Sequence, residues 1–170
     1  MDSCADKVVP LRPETSRATE LRYKIEQGAR TLDPFAIRHH MEILWANEAG
    51  AEGIMRVTPE VLNPYGTVHG GCLVALADTV AGHNMVAGGR LCVTQSSTVN
   101  FLRPATGQFV HCYAKPQKLG KSICVVSVDQ TDEHDNLLTT ALFTFSVMEQ
   151  IEPHVIGKRG SSPYRSGERT

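Results

Sequence analysis

The feature that most constrains this chain is a long apolar segment that runs from Gly70 to Gly89. Its largest side chains recur at helical spacing, and its other faces are also apolar or small, so we expect a helix from Thr67 to Ala87. A helix that is apolar on every side must be buried, and another part of the chain has to surround it. Because Asp78, His83 and Asn84 interrupt the segment, it falls short of the roughly 20 apolar residues that cross a membrane.

The rest of the core consists of segments rich in Val, Ile, Phe and Thr, which are typical of strands. Two such segments precede the helix and four follow it, at residues 41–46, 51–58, 91–102, 108–115, 122–129 and 137–148. Short connections containing Gly, Asp or Asn separate the last four and predict an antiparallel meander. A curved antiparallel sheet wrapped around one central helix satisfies this order, and the fold class is therefore α+β.

Length and composition indicate one domain with two polar ends. The chain has 170 residues, of which 41% are hydrophobic and 21% charged, as in ordinary folded proteins. Residues 1–32 are expected to form a polar extension with an amphipathic helix over 14–30, and residues 33–150 the folded domain. Residues 151–170 are rich in Gly, Ser and Arg and are expected to form a flexible tail.

Charge and cysteine usage exclude several classes of protein. Seventeen basic residues against eighteen acidic ones give a net charge of −1, which argues against binding nucleic acid through bulk charge. Five cysteines without CxxC spacing, together with no signal-peptide pattern, indicate reduced thiols in a cytoplasmic protein that does not bind membranes. Phosphate-binding, dinucleotide-binding and metal-ligand motifs are absent, so we expect neither a cofactor nor a metal.

Two features of the helical segment point to chemistry. Asp78 is a lone carboxylate among small neighbours, which leave room for a ligand, although it could equally bond a neighbouring chain or a loop amide. The glycines of His69-Gly70-Gly71 would let backbone N–H groups approach a ligand oxygen at the positive end of the helix. Such a terminus can stabilise an oxyanion, while His69 alone also fits a capping role.

Two polar stretches lie among the predicted strands. The run from Thr94 to Thr98 consists of five polar side chains in an otherwise apolar strand, which indicates a polar site or an exposed or interfacial stretch. The turn from Lys118 to Ser122 is basic and fits either a solvated loop or a grip on phosphates through Lys and backbone donors.

The run Asn63-Pro-Tyr-Gly-Thr-Val-His69-Gly-Gly71-Cys-Leu-Val-Ala-Leu-Ala-Asp78 resembles the signature of hot-dog-fold acyl-CoA thioesterases of the phenylacetate-degradation (PaaI-type) class. Val99-Asn-Phe-Leu-Arg-Pro-Ala105 resembles the third strand of the same group. The resemblance covers residues 41–148 approximately. It implies the hot-dog fold and the hydrolysis of an acyl- or aryl-CoA thioester to a free acid and CoA.

The resemblance also implies roles for individual residues. Asp78 would be the catalytic carboxylate, as general base on water or as nucleophile, and the Gly70 N–H would bind the thioester oxygen. Asn63 and His69 would orient water and substrate, and Thr94 matches a catalytic hydroxyl position. The residues implied in substrate binding are Gly71 and, in the turn that would hold the CoA phosphates, Lys118, Gly120, Lys121 and Ser122.

The separation of two of these residues has a consequence for assembly. Gly70 and Asp78 are eight residues apart, which in a helix is about 12 Å and too far for both to act on one carbonyl. The resemblance implies that subunits pair, so that Gly70 of one chain meets Asp78 of another. We therefore expect a homodimer, or a homotetramer built as a dimer of dimers.

Two alternatives stay open on the same fold. A non-catalytic acyl-CoA-binding or sensor module would keep the basic turn without needing Asp78. A hot-dog dehydratase would use a His with an acid, but the spacing of His69 and Asp78 would put them on opposite ends of the helix. Release of free thiol from a panel of CoA esters separates these functions.

Overall fold

The computed structural model describes residues 33–151, 153 and 156–157, so the predicted extension 1–32 and most of the predicted tail lie outside the described residues. The helices are α1 (Pro34–Arg38) and α2 (Gly70–Ala87), with a 3₁₀ turn at Pro59–Val61. The strands are β1 (Met41–Asn47), β2 (Gly50–Arg56), β3 (Arg90–Phe101), β4 (Phe109–Leu119), β5 (Ile123–Thr131), β6 (Leu137–Gln150) and β7 (Ile156–Gly157).

The strands form one antiparallel sheet in the order β3-β6-β5-β4-β2-β1-β7, and the sheet curls around α2. The helix contributes Leu76, Val80 and Met85 to the main core, where each is fully buried against the inner face of the sheet. The expected α+β hot-dog architecture is thus confirmed. Within the described ranges, no helix is long and apolar enough to span a membrane.

The predicted meander is correct only for β4, β5 and β6, because β3 pairs with β6 and not with β4. The connection after β3 is not a hairpin turn. The N–H groups of Leu102 and Arg103 both donate to Leu138 O, at 2.8 and 3.1 Å, and Ala105 O accepts from Val68 N–H at 2.9 Å. These bonds tie the connection to the start of β6 and to the loop before α2, so it crosses the sheet end before β4 begins.

Element boundaries differ most from the prediction at three places, and the other strand ends differ by at most two residues. The helix begins at Gly70 instead of Thr67, because His69 is extended and caps it. The fourth strand continues past residue 115 to Leu119, through a register irregularity between Pro116 and Lys118. The predicted flexible tail includes β7, whose two residues pair with β1.

The close contact between α2 and the sheet depends on a glycine. A Cβ at Gly53 would lie 2.5 Å from Val80 Cγ2 and 3.0 Å from Glu42 O, so the helix rests directly on the backbone of β2. Gly82, within the helix, has no atom within 4 Å of the corresponding Cβ position.

We expect Gly53→Ala to lower the free energy of unfolding by about 1–3 kcal/mol, because a methyl group there overpacks the helix–sheet contact. Gly82→Ala is the matched control and should raise it by about 1 kcal/mol, the difference in helix propensity. Urea unfolding followed by circular dichroism measures both. Equal stabilities of the two variants would contradict this account of the packing.

Candidate active site

Asp78 and Thr94 meet at the open edge of the fold. The half-buried carboxylate on α2 accepts a hydrogen bond from Thr94 Oγ1 at 2.6 Å. Thr94 lies just before an irregularity in the β3–β6 register, between Thr94 and Ser96. Asp78 Oδ2 has no hydrogen-bond partner among the described residues, so one carboxylate oxygen stays available to a ligand or water.

The first turn of α2 presents a backbone donor. His69 Nδ1 accepts from Gly71 N–H at 2.9 Å, so in the neutral ring the proton is on Nε2. The Gly70 N–H has no acceptor within the described part of the chain. A Cβ at Gly70 would lie 3.3 Å from the ring of Phe101, which therefore packs directly against this turn.

A groove of about 310 Å³ runs beside Gly70. Its lining is mostly apolar and comes from the start of α2 and from the connection after β3: Thr67, Val68, Gly70, Leu73, Phe101, Leu102, Arg103, Pro104 and Ala105. Arg103 is the single charged residue in this lining, and its guanidinium donates to Leu137 O at 2.8 Å. The groove thus combines an apolar wall, a free backbone donor and one cation.

Asn63 organises the loop that leads into α2. Its Oδ1 accepts from the N–H groups of Tyr65 and Thr67, at 2.9 and 3.3 Å, and its Nδ2 donates to Thr67 Oγ1 at 2.8 Å. This Asx turn uses both lone-pair directions of the amide oxygen and leaves one amide hydrogen over. The predicted role in orienting water or substrate therefore rests on that remaining hydrogen.

The basic turn lies at the same end of the sheet as Thr94. In register, Thr94 pairs with Phe145, Phe145 with Cys124, and Cys124 with Leu119. Three strand spacings separate Thr94 from Leu119, which corresponds to about 14 Å. Lys118, Lys121 and Ser122 are exposed, and Gly120 N–H closes the turn on Ile123 O at 3.2 Å.

Two residues near the site have no role in the sequence interpretation. Phe101 lies in the motif that carries the resemblance, but its contact with Gly70 is made across the fold. Cys92, on β3 near Asp78, was expected only to be a reduced thiol. Burial first, and then Coulombic interactions with Cys124 and with the Asp78 carboxylate, raise the pKa of Cys92 to about 11. The thiol is therefore protonated at neutral pH and is a poor nucleophile.

The site residues form separate groups within one chain. Asp78 with Thr94 is one group, Gly70 with Phe101 is another, and the basic turn is a third. In residues 33–151, no cluster of three or more His, Cys, Asp or Glu side chains could hold a metal ion. The chemistry available is that of a carboxylate, a hydroxyl and a helix N-terminus.

Comparison with known proteins points to one family. The model of the thioesterase superfamily matches residues 65–139. A provisionally named esterase of Haemophilus influenzae is 33% identical over 115 residues, which cover 64% of this chain and 80% of that protein. The acyl-coenzyme A thioesterase PaaI of Escherichia coli is 31% identical over 104 residues, or 61% of this chain and 73% of that protein.

A solved structure gives the same indication. A Streptococcus pneumoniae protein, named a hypothetical thioesterase and crystallised with coenzyme A, superposes with a TM-score of 0.63 at 27% identity. The match covers 66% of this chain and 91% of that one.

Proposed function

Since this chain belongs to the thioesterase superfamily, as a thioester hydrolase of the PaaI-type hot-dog class, we propose that it hydrolyses an acyl- or aryl-CoA thioester through Asp78 and Gly70. The observation that carries the proposal is the Asp78–Thr94 hydrogen bond of 2.6 Å at the open edge of the fold. That bond holds one oxygen of the carboxylate and leaves the other to act on water or on the thioester carbon. Asp78 acts either as general base or as nucleophile.

The Gly70 N–H is the proposed donor to the thioester oxygen. It lies at the positive end of a buried helix of 18 residues and has no acceptor of its own among the described residues. Charge that develops on the oxygen during attack would be stabilised there. Two further donors are proposed to orient water and substrate: the Nε2–H of His69 and the remaining amide hydrogen of Asn63. Gly71, whose N–H donates to His69 Nδ1, is proposed to contact the substrate.

We propose that the two halves of the site come from different copies of the chain. The edge strand β3 has 12 residues and is exposed along most of its length, and no strand of the described residues pairs with it on the side away from β6. Antiparallel pairing of two copies about Ser97 would put Phe101 of the second copy beside Cys92 and Thr94 of the first. Because Gly70 contacts Phe101 and Thr94 contacts Asp78, each pairing would complete two sites.

The outer face of the same strands supports a further pairing of dimers. Val93 on β3 and Leu142 and Met148 on β6 are 52%, 46% and 67% exposed. Leu142 points away from α2, because its neighbours Ala141 and Phe143 are in the helix-side core. Exposed apolar side chains on two neighbouring strands favour association, so the homotetramer stays our prediction.

CoA would extend from the reacting carbonyl to the basic turn. Lys118, Lys121 and Ser122 are exposed in the turn beside Leu119, which lies about 14 Å from Thr94 along the sheet, and the Gly120 backbone shapes the turn. Ammonium groups and backbone N–H groups are suitable partners for the phosphates. The apolar groove beside Gly70 is then proposed to receive the acyl side of the substrate. Its volume of about 310 Å³ suits a small group.

Replacement of Asp78 by Asn should lower thioester hydrolysis by about 10²–10⁴-fold, because the amide cannot take a proton from water. Free-thiol release from a panel of aliphatic and aromatic CoA esters measures the rate. Circular dichroism checks that the variant folds. A folded variant with near wild-type turnover would contradict the proposal, and a wild-type protein that binds CoA esters without hydrolysing any would indicate a binding module.

The shared site can be tested by mixing two inactive variants. Gly70→Pro removes the proposed donor while keeping the helix start, because Pro is favoured at the first helical position and His69 is already extended. Unfolded and refolded together, Gly70→Pro and Asp78→Asn should recover roughly a quarter of wild-type activity, since half of random dimers are mixed and each has one intact site. No recovery in mixed dimers detected by native mass spectrometry would exclude a shared site.

The basic turn makes a separate prediction. Replacing Lys118 and Lys121 together by Ala should raise KM for CoA esters severalfold with less effect on kcat, because distant phosphate contacts contribute uniform binding. The difference should shrink with added salt, which screens exposed charges within about 10 Å at 0.1 M. A short pantetheine thioester without the nucleotide is the control. An equal loss on both substrates would show that the turn does not bind phosphate.

A further inference from the structure

We propose that Gln130, held by Thr139, is a positioning residue that fixes the first turn of α2 and thereby aims the Gly70 N–H at the thioester oxygen. This inference rests on the proposed function. It assigns to that reaction a buried side chain that touches neither substrate nor water.

Gln130 bridges the sheet and the helix. It is fully buried on β5, and its Nε2 donates to Leu73 O, in the first turn of α2, at 2.8 Å. Its Oε1 accepts from Thr139 Oγ1 on β6 at 2.6 Å, and Thr139 is itself 1% exposed. The Leu73 carbonyl therefore receives a side-chain donor in addition to the helical ladder.

The register shows why this contact bears on Gly70. Gln130 pairs with Thr139, and Thr139 pairs with Phe101 on the edge strand. One row across the sheet thus supports the first turn of α2 at two points, with the Phe101 ring against Gly70 and the Gln130 amide on Leu73. Leu73 is three residues from Gly70, or about 4.5 Å along the helix axis.

A polar side chain is not needed to fill this space. The surrounding core is apolar, and a hydrocarbon side chain of equal length would fill the same volume. An amide differs because its hydrogen bonds are directional. Nε2 holds the Leu73 carbonyl at a defined distance and angle, and Oε1 fixes the amide itself through Thr139. Donors that stabilise an oxyanion depend on such placement, and a displacement of 1 Å can cost about 10²-fold in rate.

The far end of α2 offers a matched control. Asn84 is also fully buried, and its Nδ2 donates to Asn47 O at 2.6 Å. It fixes the helix to the β1–β2 turn through its amide donor, as Gln130 fixes the first turn, although Asn84 Oδ1 has no partner among the described residues. Asn84 lies 14 residues from Gly70, or about 21 Å along the axis, so its loss should not reorient the N-terminal donor.

The test compares steady-state kinetics of Gln130→Met, Thr139→Val and Asn84→Leu in the full chain with the CoA ester that wild type hydrolyses fastest. We expect Gln130→Met to lower kcat by about 10–100-fold, with KM changed less than about threefold. Thr139→Val should also lower kcat, by a smaller factor than Gln130→Met. Asn84→Leu should lower the melting temperature but keep kcat within about twofold of wild type.

A pH readout separates positioning from general destabilisation. In Gln130→Glu, the protonated carboxyl has one donor and one acceptor and can replace both bonds, whereas the carboxylate has no donor for Leu73 O. The ratio of its kcat to that of wild type should therefore rise as the pH falls. The same ratio for Asn84→Asp should not follow this profile.

The outcomes are distinct. A wild-type protein that hydrolyses no CoA ester overturns the proposed function and this inference with it. An active wild type with an unchanged kcat in Gln130→Met overturns the inference alone, as does an equal loss of kcat in Asn84→Leu or a flat ratio for Gln130→Glu. If Gln130→Met does not fold, Thr139→Val and Gln130→Glu decide by the same criteria.

Discussion

The burial of α2 is the interaction on which the rest of this structure depends. The helix is apolar on every side, so it is stable only where a sheet encloses it, and among the described residues it is this helix that covers the inner face of the sheet. The contact is close enough that Gly53 has no room for a methyl group. Enclosure is incomplete at the β3 edge, and Asp78, the one carboxylate of the helix, lies there.

Much of the candidate site could be predicted because its determinants are local in sequence. The His69 cap, the glycines of the first turn and the lone Asp78 all lie within one short segment, and the capping bond joins residues two apart. Thr94 was placed at the site through the resemblance and its polar neighbours, and the Asp78–Thr94 bond agrees with that placement. Helix and strand identities followed from periodicity, while their ends shifted by a few residues.

The parts that could not be predicted depend on contacts between distant segments. A connection of seven residues after β3 is compatible with a hairpin or with a crossing, and only its bonds to Leu138 and Val68 decide the strand order. The same order places Gln130, Thr139 and Phe101 in one row beneath the helix. On the outer face, the buried Glu52–His111 pair, 2.6 Å apart, likewise joins residues 59 positions apart, with no motif in the sequence.

The polar run in β3 also bears on the risk that an open strand edge pairs with the wrong chain. The outer edge of β3, 12 residues long, pairs with no other described strand, and the free backbone groups of such an edge can recruit any extended chain. Here the centre of the strand is hydrophilic, from Gln95 to Thr98, whereas apolar residues flank it on both sides, at Leu91 and Val93 and at Phe101. If two copies of β3 pair with this polar run at the centre, polar residues lie opposite polar residues and apolar residues opposite apolar ones. A pairing shifted in register would place hydroxyl and amide groups opposite apolar side chains. In the proposed pairing of two copies, the pattern would therefore set the register between the two β3 strands and disfavour pairing with unrelated strands.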